Sequence, residues 1–175
     1  MVFDEKKWEK LVKYGNVCIG LSSLCPDGSH IVMLDYDQIA YKKVVKDIRQ
    51  LQNNFRLGDV ALIKTKNGYH AYAVTPKFKY NELCEVIQAS ECDPWFKDKD
   101  CRENMRQVIL RISRRGSAPI PRFKCIIPSN HNGQSEASLG HWLFLKWFYG
   151  APLRYPAKND GSNKILVYLY KTLRN

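Results

Sequence analysis

Two aspartates one residue apart close the apolar run HIVMLDYD at 30–37. Such a run predicts a strand, and strand alternation puts Ile31, Met33, Asp35 and Asp37 on one side and Val32, Leu34 and Tyr36 on the other. Asp35 and Asp37 would then project side by side, with Cα atoms about 7 Å apart. Carboxylates at that range repel, and a divalent cation between them offsets the repulsion. The plainer alternative places one or both acids past the strand end, capping a turn or the next helix.

Further on, VALIKTK and YHAYAV flank Asn67-Gly68, the dipeptide best suited to a type I′ hairpin turn. The pattern predicts strands over about 60–66 and 69–75, with Lys66 opposite Tyr69 and Thr65 opposite His70. If this hairpin neighbours the aspartate strand, one sheet face presents two carboxylates, a hydroxyl, an imidazole and Lys64 or Lys66. That set suits a nucleoside triphosphate, with metal on the carboxylates and cationic or neutral donors on the phosphate oxygens. Taken alone, His70 beside Tyr72 reads as a half-buried strand histidine.

A third acid would complete a metal site. Asp93 in ECDPWF and Asp98 or Asp100 in KDKD are the candidates, and otherwise they are capping acids in a solvated loop. After them, Arg111, Arg114, Arg115, Arg122 and Lys124 surround small and proline residues in ILRISRRGSAPIPRFK. This suits contact with a phosphate backbone and carries no base-reading signature.

The elements that must position these residues follow from periodicity and turn chemistry. A short amphipathic helix is predicted over 4–14, with Trp8, Leu11 and Val12 at helical spacing, and a strand over 16–25. PDGS at 26–29 is a turn. Helices are predicted over 41–55, with Val44, Val45, Ile48, Leu51 and Phe55 on one stripe, and over 80–90; an acidic, aromatic loop spans 91–100. Strands follow over 107–113 and 121–128, then a polar loop over 129–138. Segments 141–150 and 164–173 fit helix or strand, and Trp142, Trp147 and Phe148 in the first read as core before base-stacking surface. The order is α+β, a single domain over 1–175 with a mostly antiparallel sheet, helices on one face and the other face open to ligand.

A chain of 175 residues makes one ordinary domain. With 45% hydrophobic and 12% aromatic residues it is neither disordered nor fibrous. Its 28 Lys and Arg against 17 Asp and Glu, a net charge of +11, are spread along the chain and predict a polyphosphate partner. No run approaches the roughly 20 apolar residues that span a bilayer. The N-terminal MVFDEKKWEK lacks the apolar centre of a signal peptide. The expectation is a soluble protein of the cytoplasm, or of the host cell interior if viral, with no membrane partner. Cysteines at 18, 25, 84, 92, 101 and 125 lack zinc-knuckle spacing and read as scattered, semi-buried thiols.

The order MLDYD, then TKNGYHAY, then CDPWFKDKDCRENMRQVILRIS resembles the archaeo-eukaryotic primase superfamily, in particular its small primase-polymerase branch, over residues 30 to about 125. The resemblance implies an RRM-like or palm-like sheet with an open catalytic face. It implies Asp35, Asp37 and Asp93 (or Asp98 or Asp100) as ligands of Mg²⁺ or Mn²⁺, and Thr65, Lys66, His70 and Arg111 as nucleotide contacts. Arg114, Arg115, Arg122 and Lys124 would hold nucleic acid. Where the family approaches its histidine through serine and glycine, this chain has Thr65-Lys66-Asn67-Gly68. The implied activity is template-dependent nucleotidyl transfer by two-metal phosphoryl transfer, a DNA primase or polymerase. The implied partners are single-stranded DNA template or primer-template, nucleoside triphosphates, and a helicase or other replication protein. The small size fits a mobile-element or viral product. Two other classes remain: a non-catalytic nucleic-acid-binding replication accessory of the same fold, and a metal-dependent nuclease or replication initiator. Against the last, His30, His70, His131 and His141 stand apart and form no adjacent metal-binding pair.

Overall fold

Val32 and Leu34 point one way from their strand and Ile31 and Met33 the other, yet all four are buried. A strand buried on both sides needs a layer on each face. The computed structural model describes residues 17–100, 106–114 and 118–171; the helix expected over 4–14 and Arg115 lie outside the described residues. Within them the order is β1 (Val17–Ser22), β2 (His30–Asp37), α1 (Tyr41–Phe55), β3 (Val60–Lys64), β4 (Gly68–Phe78), α2 (Tyr80–Ala89), α3 (Pro94–Asp100), β5 (Ile109–Arg111), β6 (Arg122–Ile127), α4 (Leu139–Tyr149) and β7 (Val167–Lys171). The strands form two antiparallel sheets, a four-stranded one ordered β2-β4-β3-β6 and a three-stranded one ordered β5-β1-β7. The α+β class and the antiparallel pairing match the expectation.

Helix α1 lays the predicted stripe, with Val44, Ile48 and Leu51 all buried, against the Val32 and Leu34 face. Ala71 and Ala73 of β4 are too small to fill the layer, and an apolar cavity of about 10 Å³ remains beside Ile48 and Leu51. Asp47 of α1 accepts the Tyr36 hydroxyl at 2.7 Å and the Glu91 N–H at 2.9 Å, which brings the chain after α2 alongside α1.

The second face is not the open surface expected of it. Met33 and Tyr72 there are fully buried. Tyr149 of α4 packs on Tyr72 with ring centroids 6.4 Å apart, and β5 brings Arg111 toward His70. The reason is chemical: Ile31, Met33, Tyr72 and Val74 make most of this face apolar, so it is covered, and solvent reaches it at the Asp35–Asp37 end.

The hairpin also departs from expectation. Lys64 pairs with Tyr69 and Ile63 with His70, so Thr65 faces Gly68 and the two loop residues are Lys66 and Asn67. Thr65 therefore does not stand opposite His70. Neither Asn67 nor Gly68 has a positive φ, so the turn is not of the primed type. Gly68 serves a different purpose: β2 runs so close that a Cβ there would meet the Tyr36 carbonyl oxygen at 1.8 Å. It belongs to the strand, and the turn moves one residue earlier.

The expected loop over 91–100 contains α3, because Asp93 accepts the Phe96 N–H at 3.0 Å and Pro94 takes the first helical position. Segment 141–150 is helical, ending at Gly150 with φ 65°, and the C-terminal segment is a strand because β1 offers it an edge. Trp142 is core, Phe148 stacks on Phe144, and Trp147 is exposed. No helix among the described residues is long and apolar enough to cross a membrane.

Gly68→Ala is expected to lower unfolding free energy by about 3 kcal/mol, because the new methyl meets backbone that cannot swing aside. Gly28→Ala, at φ 85° with open space around it, should cost about 1 kcal/mol. Urea unfolding of the two variants beside the wild type measures the difference.

Candidate active site

Register brings the principal residues together. Asp35 pairs with His70 across β2 and β4, and Asp37 pairs with Gly68 two residues nearer the turn. Cross-strand partners share a face, so the imidazole and both carboxylates lie on the same side of the sheet. His70 Nε2 is 3.7 Å from Asp35 Oδ1. The Asp35 side chain is partly exposed and Asp37 is exposed, whereas His70 is buried.

His70 is neutral at physiological pH. Burial, reinforced by the positive charge of Arg111, pushes its pKa down to about 3. The nearby carboxylate does not reverse this, because 3.7 Å is beyond a strong hydrogen bond and the desolvation of a charged imidazole outweighs its attraction. On the other edge of the ring, Nδ1 lies 3.4 Å from the Tyr72 hydroxyl, whose own pKa burial holds well above its ordinary value. If Tyr72 donates to Nδ1, the ring proton sits on Nε2, the nitrogen nearest Asp35.

Asp93 comes to the same place by its backbone, its N–H donating to the Asp35 carbonyl at 2.8 Å along the free edge of β2. Its Oδ1 is engaged at the start of α3. Asp98 is exposed on α3, and Asp100 ends that helix. Thr65 Oγ1 accepts the Gly68 N–H at 2.9 Å and so belongs to the turn, with Lys66 exposed at its tip. Arg111 donates to the Ser113 carbonyl. Arg114, Arg122 and Lys124 are exposed. Lys124 and Arg122 lie on β6, with β4 and β3 between it and β2.

Asp35 and Asp37 are hard oxygen donors, the type that Mg²⁺ and Mn²⁺ prefer. Among the described residues no three His, Cys, Asp or Glu side chains stand close enough to hold an ion by themselves. Two carboxylates fit a cation that completes its shell with water and substrate phosphates, the usual arrangement for Mg²⁺. Tyr72, edge-on to the imidazole, and Tyr149, packed on Tyr72, are not among the sequence candidates; the period of two that pairs Tyr72 with His70 on one face is the signal that points to the first. No protein-family model, curated protein or solved structure matches this chain.

The histidine burial has a measurable consequence. The unfolded chain takes up a proton on His70 near pH 6.5, whereas the folded chain does so only near 3. Between these values the unfolded state binds more protons, so stability falls as pH falls through that window and is retained above it. His141, pushed by burial to about 4 and held against the Ser22 carbonyl, adds in the same direction. Urea midpoints should be flat above pH 7 and decline from pH 6.5 to 4, with His70→Gln reducing the slope by up to about one proton. An unchanged slope in that variant would show that His70 is charged in the fold.

Proposed function

We propose that the protein is a template-dependent nucleotidyltransferase of primase-polymerase type. The observation that carries this reading is the placement of Asp35 opposite His70, with Asp37 beside it, at the solvent-reaching end of an otherwise buried face. Asp35 and Asp37 would hold Mg²⁺ or Mn²⁺ together with the triphosphate of the incoming nucleotide. When bound, the metal supplies charge neutralisation on the phosphates and a lowered pKa for the attacking hydroxyl. His70, neutral and proton-bearing on Nε2, donates a hydrogen bond to a phosphate oxygen without adding charge. Arg111 supplies positive charge behind it. Lys66 at the turn tip reaches the outer phosphates as a mobile point charge. The net charge of +11 serves retention of a nucleic-acid backbone. The sequence resemblance to archaeo-eukaryotic primases supports the same assignment of roles.

A second reading, nucleic-acid binding without turnover, is favoured by engagement of the Asp93 carboxylate at α3. Primer extension with Mn²⁺ and either ribo- or deoxynucleotides separates the two. Asp35→Asn and Asp37→Asn should each lower incorporation at least about a hundredfold, the scale of losing a metal ligand, while template affinity stays within a factor of two or so. A well-folded wild type that extends no primer rejects the enzyme reading and leaves the binding one.

A further inference from the structure

On the α1 side of the four-stranded sheet, a group of residues has no part in the site at Asp35. Lys64 of β3 stands directly opposite Arg122 of β6, and like charges in that position oppose strand pairing. Lys124 follows where the ladder shifts register between Leu62 and Ile63. All three are exposed, and none makes an ion pair among the described residues. Two rings link Lys64 and Lys124. Lys64 Nζ sits 4.4 Å from the centroid of Tyr69, and Lys124 Nζ sits 5.6 Å from that of Tyr41. The rings are 5.8 Å apart and tilted by 49°. Tyr41 is 40% exposed, and its hydroxyl lies 3.5 Å from the Cys125 sulfur, which restrains the ring.

Edge protection explains part of this arrangement, since β6 ends the sheet and lysines on an edge strand discourage pairing with another chain. It does not explain Lys64, which is on an interior strand, nor an aromatic ring left at the surface against Lys124. We propose that this face is a platform for single-stranded nucleic acid, with a base stacked on Tyr41 and the flanking phosphates held by Lys64, Arg122 and Lys124. A duplex keeps its bases stacked internally and offers none to Tyr41. The proposal rests on the nucleic-acid half of the reading above and not on phosphoryl transfer at Asp35, so it stands if that chemistry fails.

The test is fluorescence anisotropy in EDTA with labelled oligothymidylate and an abasic oligomer of equal length. The wild type should bind the thymidylate about tenfold more tightly, the scale of one stacked base. Tyr41→Ala and Tyr41→Leu should abolish that preference, and Tyr41→Phe should keep it. The combined Lys64→Gln, Arg122→Gln, Lys124→Gln variant should weaken binding of both oligomers and reduce the slope of log K against log salt by about 2. Circular dichroism checks folding, and having two ring-removing variants guards against one that misfolds. Equal wild-type affinity for the two oligomers overturns the proposal, as does a preference that survives both Tyr41 replacements, or tighter binding of a duplex or of phosphatidylserine vesicles.

Discussion

The close approach of β2 to β4 governs the candidate site. At Gly68 the Tyr36 carbonyl occupies the space that any side chain would need, and this contact locks the register of the pair. With Asp37 opposite Gly68, Asp35 must face His70, since antiparallel partners step together along the ladder. A slip of one residue would turn Asp35 toward α1 and bury a carboxylate among Val44, Ile48 and Leu51. Steric exclusion at one backbone position thus determines which side of the sheet carries the acids.

Burial then sets the electrostatics. The same apolar residues that draw α4 and β5 over the second face, Met33 and Tyr72 among them, remove His70 from water. The ring is neutral because a charge there would be desolvated and would face Arg111. Asp35 and Asp37, at the uncovered end, keep contact with solvent. One face therefore grades from a dry imidazole to hydrated carboxylates within two steps of the ladder, which is the gradient a phosphate-bearing ligand would straddle.

Part of the charge is paired within the fold. Lys77 is nearly buried and is met by Asp27, Glu136 and Asp160, while Arg154 forks onto buried Asp59. These clamps hold four carboxylates with two cations and fasten loops to β4 and β3. The Asp59 and Asp160 carboxylates are almost buried in these clamps, while Asp27 and Glu136 keep contact with solvent.

Much of the fold was legible in local pattern. The runs at 30–37 and 41–55 carry their periodicity openly, and both elements form over those residues. The shared side of Asp35 and Asp37 follows from alternation alone. Other features were not legible, because they depend on residues distant in sequence. Asn67-Gly68 reads as a primed turn until Tyr36, some thirty residues earlier, claims the glycine for close packing. Asp93 and Pro94 are a helix start that an acidic loop conceals, and the segments at 141–150 and 164–173 take their form from what they pack against or pair with. Local sequence sets which way a side chain alternates; only the folded chain decides what covers that side, and hence that His70 is dry while Asp37 is wet.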